Sequence, residues 1–312
     1  MESSRKVVVD DEEEQRNWLD LPRDVMCTVF QKLDAVEILT RAERVCSAWR
    51  SVSKDPLLWR TIHMPDSGDS DFQLWVLCRR AIDLSSGHLL SIYIENFATD
   101  DLLRYITLNA SHLRCLRLAC CYRISDEGLY EVAERLPQLE ELDISLSSGI
   151  TKDSLEAIGR CCPHLKSLKF NMEGYRRPHV ESNEEAYAIA ETMPNLCHLQ
   201  LFGNKLTNEG LLAILDGCPH LESLDLRQCF NVTLVGGLGK RCAEQIKDLR
   251  LPYDPTDDYP FEAEIDYGSF DEDYPSGISD IDFMSDDDYD YYYEFSGESD
   301  FSDYEYENYY DL

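Results

Sequence analysis

From Pro252 to its end this 312-residue chain contains no lysine and no arginine, against 22 Asp and Glu over the same span. Nucleic-acid phosphate would repel such a segment, which excludes it as a nucleic-acid-binding arm. Aliphatic clusters are also scarce there, so it cannot bury enough apolar area to offset its ordering entropy. Composition therefore predicts a disordered acidic tail over 253–312, carrying 12 of the 18 tyrosines. Removing it after Tyr253 is expected to shift the melting temperature by only a few degrees. Three roles for the tail stay open. It can solubilise the chain. It can bind a basic partner, since runs such as Asp288-Tyr289-Asp290-Tyr291-Tyr292 add aromatic contact to charge. Or it can shield basic residues of the same chain.

Other absences narrow the function. No N-terminal apolar signal and no membrane-length apolar run is present. No Cys-x-x-Cys accompanies a His pair, and His63, His112, His164 and His220 are dispersed, so no metal is expected. Gly-x-Ser-x-Gly is missing, and Gly236-Gly237-x-Gly239 lacks the strand–loop–helix setting of a phosphate loop. No cofactor and no enzymatic activity are expected. Twelve cysteines occur, several at positions that read as buried hydrophobes or turn caps, so they are expected to stay reduced in nucleus or cytoplasm. Of the net charge of −32, the tail contributes 22 negative charges and residues 1–16 a net three, leaving an ordinary balance between them.

What is present is a recurring frame, L-x-x-L-x-L. Its first anchors are Leu89, Leu113, Leu139, Leu165, Leu196, Leu221 and Ile246, spaced 24, 26, 26, 31, 25 and 25 residues apart. A period of about 20–29 residues with this pattern marks a leucine-rich repeat. Each unit opens with a strand whose alternating apolar residues point inward. Cys121, Ser147, Asn204 and Cys229 follow where a side chain can satisfy turning backbone. Ser125, Thr151 and Thr207 are candidate helix N-caps, and Pro137, Pro163, Pro194 and Pro219 close the helices. The expected fold is an α/β repeat: a curved solenoid with parallel strands on the concave face and helices on the convex face.

Upstream the period vanishes. Residues 18–64 carry an apolar stripe, Val25, Val29, Phe30 and Leu33, after Pro22, then a second helical pattern through Ile38, Ala42, Val45, Trp49 and Val52. So small a helical module buries little surface and is expected to lean on a partner. Leu21-Pro22-x-Asp24-Val25, Val45-Cys46-x-x-Trp49-Arg50 and Asp55-Pro56-x-x-Trp59 resemble, in that order, the motifs of the F-box. One departure is Asp34, where many members carry proline.

Cys-Pro-His-Leu at 162–165 and 218–221 resembles the cysteine-containing repeat class. Together the chain resembles a plant-type F-box protein with leucine-rich repeats. The division expected is an acidic leader over 1–16, an F-box over 17–60, seven to eight repeats over 61–252, and the tail. That resemblance implies a substrate receptor of an SCF ubiquitin ligase: the F-box docks on the adaptor, and through it on cullin and RING subunits, while the repeats hold an unidentified protein substrate. The adaptor contacts it implies are Leu21, Pro22, Val25, Val29, Phe30, Leu33, Val45, Cys46 and Trp49. The first five are expected to lie partly exposed.

Outward strand positions supply the substrate candidates. The central row reads Tyr93, Arg117, Asp143, Lys169, Gln200, Asp225 and Arg250, flanked by Glu95, Ala119, Ser145, Asn171, Phe202 and Arg227. Signs alternate, which argues against a basic bowl for phosphates. The repeat after Phe170 is about five residues longer than its neighbours and adds Tyr175, Arg176 and Arg177. Tyr93, Arg117, Lys169, Tyr175, Arg176, Arg177, Phe202 and Arg227 are therefore the candidates. A repeat scaffold acting without ubiquitination is the alternative reading.

Overall fold

The computed structural model describes residues 21–66, 68, 70–172, 174–175, 180–261 and 265–266. The acidic leader and the tail beyond 266 lie outside them.

The helical module comprises α1 (Arg23–Phe30), α2 (Ala35–Thr40) and α3 (Ser47–Val52). The sequence pattern suggests one long second helix, but the structure divides it. A 3₁₀ turn covers Ala42–Arg44, and Cys46 is extended at φ −159° and ψ 174°. Its Sγ then accepts the Trp49 N–H at 3.5 Å, capping a new helix. Asp34 turns its departure from proline to use: Oδ1 accepts the Glu37 N–H at 2.7 Å and caps α2. Trp59, in a 3₁₀ turn over Pro56–Arg60, is buried and donates Nε1–H to the Ser53 carbonyl at 2.8 Å. Arg80, on the first repeat helix, pairs with Glu43 at 2.8 Å. The module is thus fastened to the repeats through packing and charge.

Strand and helix then alternate: β1 (Thr61–Met64), α4 (Asp71–Ser85), β2 (Ser91–Glu95), α5 (Asp100–Asn109), β3 (Cys115–Ala119), α6 (Asp126–Arg135), β4 (Glu141–Ser145), α7 (Lys152–Cys161), β5 (Ser167–Asn171), a short β6 (Gly174–Tyr175), α8 (Glu184–Thr192), β7 (His198–Gln200), α9 (Asn208–Gly217), β8 (Ser223–Asp225), α10 (Gly236–Gln245), β9 (Asp248–Arg250) and β10 (Ile265–Asp266). Eight strands form one open parallel sheet in the order β1-β2-β3-β4-β5-β7-β8-β9, and β6 pairs with β10 apart from it.

Register follows the sequence frame. Leu116, Leu142, Leu168, Leu199 and Leu224 stand opposite one another across five strands and are buried, as are Leu118, Ile144, Leu201 and Leu226. Burying each such side chain contributes about 2 kcal/mol, and every one leans on the repeats beside it. Ser125, Thr151 and Thr207 cap α6, α7 and α9.

Strand ends repeat a second device. Asn96, Cys120, Leu146, Gly203 and Gln228 have left-handed backbone, φ 54° to 73°. Each amide donates to a carbonyl one repeat onward, as Leu146 does to Asn171 at 2.9 Å. Those bonds offset a conformation costly for any side chain but glycine. At the next residue Cys121 donates to the Ala119 carbonyl at 3.1 Å and Cys229 to that of Leu201 at 2.9 Å. Burial pushes the thiols of Cys121, Cys162 and Cys218 up to about 12, so they are inert at neutral pH.

Candidate functional site

Two surfaces carry the sequence candidates. On the helical module, Leu21 is partly exposed and Pro22 exposed, with Val25 at 42% and Val29 at 39%. Leu33, Cys46 and Trp49 are half-buried, and Val45 is 61% exposed. Phe30 departs from the expectation: it is only 1% exposed, its ring edge-on to Trp49 at 5.4 Å. The reason is helical phase. Met26 and Phe30, four apart, face the core, which leaves Val25 and Val29 on the outer side. Trp49 thereby joins α1 to α3. An Arg23–Asp55 pair at 3.1 Å ties the start of α1 to the end of the module. Asp55 is held below the usual carboxylate range by the Leu57 N–H and by Arg23.

The second surface is the sheet face turned away from the helices. Its central row is in register as read, extended by His63, whose ring stacks on Tyr93 at 4.8 Å. Arg117 pairs with Glu141 at 2.8 Å and Lys169 with Asp143 at 3.5 Å. Asp143 is buried, and burial pushes its carboxyl up despite a 2.6 Å hydrogen bond from Ser145 and the Lys169 charge. The flanking row is less open than alternation suggests. Ala119, Ser145 and Asn171 are buried, Asn171 Nδ2 donating to Ser145 Oγ at 2.9 Å and Gln200 Oε1 at 3.2 Å.

Phe202 and Arg227 require correction. Neither is open surface: Phe202 is 1% exposed and the Arg227 side chain 4%. What covers them is chain assigned by composition to the structureless tail. Past β9, residues 253–261 are ordered against the sheet face. Tyr259 lies flat on Phe202, ring centroids 3.8 Å apart, and Phe261 meets Tyr259 edge-on at 5.6 Å. Arg227 donates Nη1–H to the Pro255 carbonyl at 3.0 Å and to the Asp258 carboxylate, while Nη2 pairs with Asp225 at 2.8 Å. Arg227 hydrogen bonding holds the Asp258 carboxyl below its usual range.

Asp258 and Tyr259 were thus missed as site residues. Their signal was local: Asp-Asp-Tyr-Pro-Phe places two aromatics and a proline just past the last strand, which segment-wide averages conceal. The backbone of Gly174–Tyr175, in the long repeat, pairs in parallel with Ile265–Asp266. Arg176 and Arg177 lie outside the described residues.

Comparison with known proteins now decides the family. An F-box-like domain model matches residues 18–65, and a Leucine Rich repeat model matches 109–133 and 192–215. The F-box protein SKIP19 of Arabidopsis thaliana is 49% identical over 296 residues, covering 94% of each chain. The chain belongs to the F-box/LRR-repeat proteins. A second member from Arabidopsis thaliana, Putative F-box/LRR-repeat protein 22, is 43% identical over 91% of this chain and 93% of its own. Among solved structures, the leucine-rich repeat-containing protein LegL7 from Legionella pneumophila gives a TM-score of 0.36 and 15% identity over 54% of this chain and 55% of that one. In this F-box/LRR-repeat protein the matched F-box spans α1 to β1, and the open apolar face of α1 lies within it. No described helix is long and apolar enough to cross a membrane.

Proposed function

We propose that this chain is the substrate-recognition subunit of an SCF-type cullin–RING ubiquitin ligase, without catalytic activity of its own. Its F-box binds the adaptor, and its repeats hold the protein to be ubiquitinated. The observation that carries this reading is the apolar face left open by α1, with Val25 and Val29 exposed on an F-box module fastened to a repeat stack. Exposed branched side chains on a small helical module call for a partner. Leu21, Pro22, Val25, Val29, Leu33, Val45, Cys46 and Trp49 form the adaptor surface, with Phe30 supporting it from beneath. Tyr93, Arg117 and Lys169 form the open part of the substrate face, and Tyr175, Arg176 and Arg177, which the sequence of the long repeat supplies, are proposed to contribute to the same recognition. Nucleus or cytoplasm is the compartment, in keeping with twelve cysteines that form no disulfide.

The test is capture of adaptor and cullin by the full chain. Leu21→Ala with Pro22→Ala abolishes capture on this reading, because central interface anchors dominate binding energy. Normal capture by that double variant would sink it. Capture of the adaptor without cullin, and with no ubiquitination of co-captured proteins when the proteasome is inhibited, would leave a repeat scaffold instead.

A further inference from the structure

We infer that Phe202, Arg227 and Arg250 build a recognition site for an acidic-aromatic peptide with an Asp-Tyr core, filled here by the chain's own Asp258-Tyr259. This rests on the reading of the repeats as the part that holds a protein partner, and names the chemistry of that partner.

The site is specific in both halves. Phe202 presents a flat ring, and Tyr259 covers it with planes 1° apart. Beside it the Arg227 guanidinium is buried and fixed on one side by Asp225, whose oxygens accept from Nε at 3.1 Å and Nη2 at 2.8 Å. Its remaining face points at the bound segment, onto the Asp258 carboxylate and the Pro255 carbonyl. Arg250 stands 3.5 Å from the other Asp258 oxygen. Two guanidinium groups therefore face Asp225 and one guest carboxylate. Without the guest the site carries an excess positive charge beside an open aromatic ring. Only a carboxylate next to an aromatic side chain completes it.

The segment is placed as a ligand, not as a cap on the stack. A cap would cover the free edge of β9, yet Asp248 and Arg250 remain exposed there. Residues 253–261 instead run back across the sheet face to Phe202, beyond β8. The fit is also imperfect. The Tyr259 hydroxyl is buried with no hydrogen-bond partner among the described residues, in the field of Asp143 and Asp225. A buried unpaired hydroxyl costs free energy that a better ligand need not spend. The tether compensates, because Asp258 follows Arg250 by only eight residues and its effective concentration is high. The sequence carries further copies of the same pair. Asp273-Tyr274, Asp288-Tyr289 and Asp303-Tyr304 follow Asp258-Tyr259 at intervals of 15 residues, with Asp266-Tyr267 and Asp290-Tyr291 between them.

The experiment uses the full chain with the tyrosine of every Asp-Tyr pair replaced by alanine, at 259, 267, 274, 289, 291 and 304. The probe is a fluorescent peptide of residues 256–261, Thr-Asp-Asp-Tyr-Pro-Phe, read by anisotropy. The vacated chain binds it about tenfold or more tightly than the native chain, whose own segment competes. Peptides with Asp258→Ala or Tyr259→Ala lose about tenfold, and Tyr259→Phe binds at least as well as the parent. No binding to a vacated chain that still melts cooperatively would overturn the proposal, as would binding indifferent to both alanine peptides. Should the vacated chain fail to fold, the native chain gives the answer by hydrogen exchange. The Tyr259 amide donates to the Thr256 carbonyl at 2.9 Å, and excess peptide must speed its exchange. Unchanged exchange under saturating peptide also overturns the site. Adaptor capture measured in parallel keeps the two readings apart: its loss in the native chain sinks the ligase role and leaves the peptide result standing.

Discussion

Asp126, in the first turn of α6, accepts both the backbone N–H of Thr151 at 2.9 Å and its hydroxyl at 2.7 Å, joining one helix start to the N-cap of the next. Ser154 adds its hydroxyl to the same carboxylate. Asp100 holds Ser125 in the same way, and Asn183 holds Thr207. Burial pushes the Asp126 carboxyl up, but the hydrogen bonds from Ser154 and Thr151 prevail and hold it below its usual range. Asp126→Ala is expected to cost about 2 kcal/mol, because a cap loses its orienting partner and three donors go unmet. Asp126→Asn should cost less than half as much, since asparagine fills this position in the repeat of Asn183. Urea melts of the two variants check the order; equal losses would mean the carboxylate charge matters and the ladder geometry does not.

Phe30 and Val29 are neighbours in sequence with opposite roles in the fold. Phe30→Ala empties a buried site against Trp49 and should destabilise the helical module by about 3 kcal/mol. Val29→Asp changes an exposed position and should leave the melt within about 0.5 kcal/mol while abolishing adaptor capture. Thermal melting beside pull-down separates them. Adaptor capture retained by Val29→Asp would remove α1's outer face from the interface.

The repeats were legible because the same spacing that defines the sequence frame also defines the structural register. Leu116, Leu142 and Leu168 occupy one frame position and one ladder row. Caps at Ser125, Thr151 and Thr207 were readable for a similar reason, since capping is local chemistry. The interaction surfaces were only half legible. Periodicity places Val29 and Phe30 on adjoining parts of α1, but which part meets Trp49 is decided by three-helix packing. Alternation sends Arg227 outward from its strand correctly; it does not reveal that Asp258, 31 residues later, returns to it. Mean composition concealed Tyr259, because a segment can lack a core of its own and still dock on another surface.

Asp143 offers a pH test. Burial raises its carboxyl in the folded chain, so it favours folding below its unfolded value of about 3.9, and that contribution is lost as pH rises through the folded value. Asp143→Asn removes the buried charge while keeping an acceptor for the Ser145 hydroxyl. The variant should therefore match or exceed the native chain in stability at pH 7, despite losing the Lys169 pair, with its advantage vanishing toward pH 3.5. Parallel denaturation at the two pH values decides it. A variant less stable at pH 7 than at acid pH, relative to native, would show that Lys169 outweighs desolvation.

Truncation after Tyr253 tests how far the folded unit extends beyond β9. Composition alone puts the change within a few degrees, but the contacts of Tyr259 and Asp258 argue for more. Losing Tyr259 returns one face of Phe202 to water, and about 80 Å² of apolar surface at about 25 cal/mol per Å² amounts to about 2 kcal/mol. For a unit of this size that lowers the melting temperature by about 4–8 °C. Asp258 adds a pH signature. Its carboxyl lies below the usual range in the folded chain, so its contribution is present above about pH 4 and is lost as pH falls through the folded value. The gap between native and truncated chains should be full at pH 7 and should narrow as pH falls below about 4, where the Asp258 contribution is progressively lost but the ring stack remains. A truncated chain that melts with the native one at pH 7 would show that residues 254–261 contribute nothing to the fold.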